Sequence, residues 1–84
     1  MMNGLEKFKI KMEFSLELLH QVIGNEDSES VAEIIQRAKT SEVFSEEELT
    51  KIQKKITEAF SVTQEDEKID KISSLKEYLF HLLD

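Results

Sequence analysis

Two histidines in this chain sit about one helical turn from a glutamate. Glu17 precedes His20 by three residues, and Glu77 precedes His81 by four. The three-residue spacing is the one by which a bundle helix offers a carboxylate and an imidazole to a shared metal. Such a centre needs a second matching pair and two more inward carboxylates. On a helical projection Glu17, His20, Glu77 and His81 all fall away from the apolar stripes, so solvated neighbours one turn apart are expected. Neither metal nor cofactor is expected. The acidic run Asn25-Glu26-Asp27-Ser28-Glu29 lacks the alternating ligands and mid-loop glycine of a calcium loop and reads as a loop running into a helix cap. With no cysteine, thiolate nucleophiles, thiolate metal sites and disulfides are excluded. Gly4 and Gly24 are too far apart to build a phosphate-cradling loop, and no Gly-x-Ser-x-Gly turn occurs. Carboxylates are plentiful, but no feature of their order buries two together, which is what would shift their pKa values toward acid–base work. No catalytic residue is assigned, and an enzyme is not expected.

The 84 residues carry a net charge of −7, enough chain for one domain whose core is only marginally self-sufficient. Residues 1–24 are neutral on balance, three Lys against three Glu. Residues 25–48 hold eight acids against Arg37 and Lys39, and residues 49–63 set Lys51, Lys54 and Lys55 against Glu58. Binders of nucleic-acid backbone draw most of their affinity from neutralised phosphates, so nucleic acid is an unfavoured partner. The acidity suits solvated helix starts, where the helix dipole favours carboxylates, or a surface steering a basic protein. Apolar runs are two or three residues long, as at Tyr78-Leu79-Phe80, far short of a membrane span. No signal-like N-terminal segment is visible, and a cytoplasmic protein is expected.

The elements that would position these groups follow from capping chemistry. Proline is absent, and good helix formers fill nearly every position. Ser45 with Glu48 forms a capping box, and Phe44 with Leu49 has the spacing of a hydrophobic staple. Leu49, Ile52, Ile56, Ala59 and Phe60 then share one helical face. Asp27, Ser28 and Ser30 offer caps for a helix buried through Val31, Ile34, Ile35 and Ala38. A last helix is buried through Ile72, Leu75, Leu79 and Leu82. Helices are predicted over about 4–23, 29–41, 46–61 and 65–83, folding as a compact antiparallel four-helix bundle of the all-α class.

The first segment supports two readings. Residues 8 to 18 alternate apolar and polar, the period of a half-buried strand. Asn3 with Glu6 as a capping box and Gly24 as a C-terminal cap favour a helix instead, as does the lack of a partner strand. On that helix Leu5, Phe8, Met12, Leu16, Leu19 and Ile23 are expected to face the core. Ile10, Phe14 and Leu18 then form a second stripe, either covered by the second and fourth helices around a central first helix or left over for a partner or a second copy. Glu46, Glu47 and Glu48 are the secondary candidates, for a basic partner.

Taken instead as a strand, Lys7-Phe8-Lys9-Ile10-Lys11-Met12 followed by residues 30–38 resembles the ribbon-helix-helix family. The resemblance implies a dimeric N-terminal ribbon with Lys7, Lys9 and Lys11 facing DNA, as in repressors and antitoxins. It spans under half the chain, lacks the usual turn glycine before the second helix, and sits in an acidic protein. Small acidic helical inhibitors or immunity proteins form a third class, supported by architecture and charge alone. The preferred expectation is a regulatory or inhibitory protein-binding module working through an apolar helix face and an acidic surface.

Overall fold

The computed structural model describes residues 3–24 and 28–83. Four helices follow in order: α1 (Gly4–Gly24), α2 (Ser28–Ser41), α3 (Glu46–Ser61) and α4 (Glu65–Leu83). The chain is all-α, and the strand alternative is overturned. The alternating stretch 8–18 lies inside α1. A lone strand would leave its backbone groups without partners, whereas a helix satisfies them internally. Asn3 starts α1 by accepting the Glu6 N–H on its side-chain oxygen at 2.8 Å.

At α3 the Glu48 N–H donates to Ser45 Oγ at 3.1 Å, and the Ser45 N–H donates to Glu48 Oε1 at 2.8 Å. The reciprocal bonds relieve two backbone donors that a helix start leaves orphaned. Phe44 and Leu49, flanking that cap, are both buried. Glu42, just past α2, takes a left-handed φ of 60°, and its N–H donates to the Lys39 carbonyl at 3.3 Å. That turn stops the helix and sends Val43 and Phe44 into the core. Gly24 does not act as the left-handed cap expected of it: it is the last residue of α1, and its φ is not positive. The cap position Asp27 and most of the acidic run from Asn25 lie outside the described residues.

Helix α1 packs against α2 and α4 and touches α3 across the core, α2 packs against α3, and α3 against α4, while α2 and α4 do not meet among the described residues. The four therefore form a ring in chain order, as short connections between antiparallel neighbours require. Leu18, Val22, Ile52, Leu75 and Leu79 are fully enclosed at its centre.

Candidate functional site

Helix α1 carries more apolar side chains than one face can hold, and packing decides which set turns inward. Leu18 and Val22 are fully buried, and Ile10 and Phe14 pack half-buried against the core. Leu5, Phe8, Met12, Leu16 and Ile23 remain exposed, with Leu5 at 77% and Leu16 at 54%. This corrects the assignment of faces. Ile10, Phe14 and Leu18, expected to face a partner, face the bundle, and of the six residues expected in the core only Leu19 is buried.

The physical reason lies in two residues that pattern reading discounts. Ser15 is wholly buried; a small side chain there lets a neighbouring helix approach closely. Lys11 is half-buried, its Nζ donating to the Leu82 carbonyl at 3.0 Å and lying 5.9 Å from the centroid of the Phe44 ring. A cation satisfying the last carbonyls of α4 is favoured by that helix's dipole, and its methylene stem can lie along apolar surface. Spacing alone offers one usable clue: Ser15, Leu18, Leu19 and Val22 recur at three- and four-residue steps, with the small Ser15 among them.

Named contacts fix how the neighbours sit. On the α2 side of α1, Arg37 bonds Glu17 at 3.0 Å and lies over the Phe14 ring. On the α3 side of α4, Lys55 Nζ donates to Ser74 Oγ at 3.0 Å and lies over the Tyr78 ring, while Lys71 bonds Glu58 at 3.1 Å. Of the exposed apolar residues of α1, Leu5, Phe8, Met12 and Ile23 occupy the flank away from Glu17 and Phe14, toward α4, while Leu16 borders the α1–α2 groove beside Glu17 and Arg37. Those of α4, Ile69 and Phe80, occupy the flank away from Lys71, Ser74 and Tyr78, toward α1. Both sets thus lie on one outer face of the α1–α4 layer. Leu5, Ile23 and Ile69 are each more than half exposed, and large apolar side chains left open on neighbouring helices mark a candidate interaction surface.

The same contacts set the register. Counting antiparallel from Glu17–Arg37 and Lys11–Leu82 brings the end of α2 level with about Glu13 and the end of α4 level with about Ile10. The start of α1 overhangs both, and residues 3–9 are all exposed.

The other candidates are placed as follows. Glu46 and Glu47 are exposed, but Glu48 is half-buried and engaged in the cap. Burial raises the pKa of the Tyr78 hydroxyl, and the Glu48 and Glu47 carboxylates raise it further, so this acidic turn faces α4 as well as solvent. Lys7 and Lys9 are exposed while Lys11 is committed to α4; on a helix Lys7 and Lys11 share a face and Lys9 points away from it, and the ribbon that would align all three on DNA is absent among the described residues. Glu17 and His20 share an open groove of ≈ 530 Å³ between α1 and α2 with Glu33 and Arg37. Its carboxylate there is held by Arg37. A second groove, ≈ 470 Å³ between α3 and α4, is lined by Lys55, Glu58, Lys71 and Ser74, where the Lys71 ammonium holds the Glu58 carboxyl below its ordinary pKa. Among the described residues no three His, Cys, Asp or Glu converge as metal ligands, and no helix is long and apolar enough to cross a membrane.

No protein-family model matches the chain, and no curated protein or solved structure shows significant similarity to it.

Proposed function

We propose that this protein is a non-enzymatic binding module that engages another protein through the outer α1–α4 face. The observation that carries this reading is the exposure of Leu5, Phe8, Met12 and Ile23 on α1 and of Ile69 and Phe80 on α4, the helix packed against it. Leaving these side chains in water forgoes about 25 cal/mol for each Å² that burial would remove, a loss a partner would recover. The flanks are polar, as in interfaces with an apolar centre and a wet rim. Regulatory and inhibitory or immunity-type roles are forms of the same reading, because each acts by covering a partner's surface. A cytoplasmic setting remains part of this proposal.

A second docking element is the exposed pair Glu46 and Glu47 beside Glu42, which suits a basic partner. These carboxylates lie at the start of α3 rather than on the rim of the α1–α4 face, so they are assigned steering of approach and the apolar face the affinity.

The test compares wild type with Phe8→Asp/Met12→Asp/Ile69→Asp and with Glu46→Lys/Glu47→Lys in affinity capture from a native lysate. Circular dichroism checks that each variant is helical. The apolar variant should lose retained partners at least about tenfold, and the charge variant by less. Equal retention by wild type and apolar variant would refute the assignment of this face.

A further inference from the structure

We propose that α1 exchanges between two registers, the second slipped by one residue toward the helix's own start, so that Met12, Leu16 and Ile23 turn into the core. One step along an α-helix is a rise of about 1.5 Å and a turn of about 100°. Met12, Leu16 and Ile23 are exposed, and each directly follows an inward-facing residue: half-buried Lys11, and fully buried Ser15 and Val22. Leu19, itself buried, follows Leu18. A slip of one residue therefore sets Met12 in the place of Lys11, Leu16 in that of Ser15, Leu19 in that of Leu18 and Ile23 in that of Val22. The centre of the core exchanges leucine for leucine and valine for isoleucine.

Two features of the observed register favour the exchange. Ser15 Oγ is buried without a hydrogen-bond partner, which costs free energy, and the slip carries it to the half-buried place of Phe14. Lys11 lies over the Phe44 ring, and Met12 in its place brings a thioether to that ring, a favourable contact. The ion pair broken on the other side, Glu17–Arg37, joins side chains 47% and 53% exposed, where such pairs contribute little. Gly24 supplies the slack. It is the last residue of α1, stands in open space and is a poor helix former; uncoiled, it lengthens the chain by about 2 Å.

Three losses make the slipped register the minor one. Ile10, Phe14 and Leu19 pass their places to Lys11, Ser15 and His20. Lys11 gives up the Leu82 carbonyl. The helices that stand close at Ser15 must part to admit Leu16. Register shifts of helices run from microseconds to milliseconds. The slip closes the apolar side of α1, and a partner bound there would hold the observed register. That consequence rests on the reading of the α1–α4 face as a binding surface, whereas the exchange itself does not.

Thiol labelling of the purified chain reads the exchange, because there is no native cysteine. Leu18 and Ile52 are both 0% exposed, but only Leu18 leaves the core in the slip, for the exposed place of Glu17. In native buffer the thiol of Leu18→Cys should label at least about tenfold faster than that variant's global unfolding allows, at a rate unchanged by low urea. Ile52→Cys should label only through global unfolding. Leu16→Lys is the discriminating change, since its ammonium is solvated in the observed register and would be buried in the slipped one. Added to Leu18→Cys, it should return labelling to the global rate with the helical spectrum unchanged. Ser15→Cys, which also leaves full burial in the slip, is read in the same way if Leu18→Cys does not fold. Labelling no faster than global unfolding, or fast labelling that Leu16→Lys leaves untouched, would overturn the exchange. Captured partners that depend on the apolar face, without fast labelling, keep the face and remove the exchange. Fast labelling blocked by Leu16→Lys, with partners indifferent to the face, keeps the exchange and removes the face.

Discussion

Ser15 shows how a single side chain records the compromise made at a helix crossing. Its Oγ is buried without a hydrogen-bond partner, and an unsatisfied buried hydroxyl costs on the order of 1–3 kcal/mol. Alanine keeps the small volume, removes the orphaned group and is the best helix former. Ser15→Ala is therefore expected to stabilise the fold by about 1 kcal/mol in urea denaturation with an unchanged m-value. Loss of stability in that variant would mean the hydroxyl has a partner. Glu42 makes a comparable compromise in the backbone. Its positive φ is disfavoured for an L-residue with a Cβ, and it persists where the turn between α2 and α3 must place Val43 and Phe44 inside.

At the level of the element, the phase of α1 is the decisive feature. Leu16 and Leu18 are the same residue type two positions apart, yet one is 54% exposed and the other 0%. Truncating a buried leucine costs about 2–5 kcal/mol, while surface changes away from such features usually stay within about 0.5 kcal/mol. Leu18→Ala should thus lower the denaturation midpoint severely, and Leu16→Ala should barely move it. Comparable losses from the two variants would return both stripes of α1 to the core. The starts of α1 and α3 are better determined than the rotation of α1. Asn3 and the Ser45–Glu48 box act through bonds within one turn of chain, so their partners can be read from neighbouring letters.

Across the whole molecule, the neutral α1 and the acidic 25–48 stretch divide the surface into an apolar side and a charged one. A domain of this size has little core to spare, and association is a common supplement. Any partner that binds only the folded chain raises its stability by linkage, in proportion to the logarithm of partner concentration once binding saturates.

Helix propensity without proline, capping boxes at their three-residue spacing and the seams of α3 and α4 made the all-α four-helix architecture legible from the residues alone. These are local signals, set by backbone geometry over one or two turns. The existence of a surplus apolar stripe on α1 was equally legible, because it is a matter of counting. Which stripe turns outward was not. Both have helical spacing, and the choice depends on where α2 and α4 end, on Ser15 permitting close approach, and on Lys11 finding the last carbonyl of α4, 71 positions away in the chain. Contacts over such distances exist only once the helices have docked, so tertiary packing alone decided which face the molecule presents.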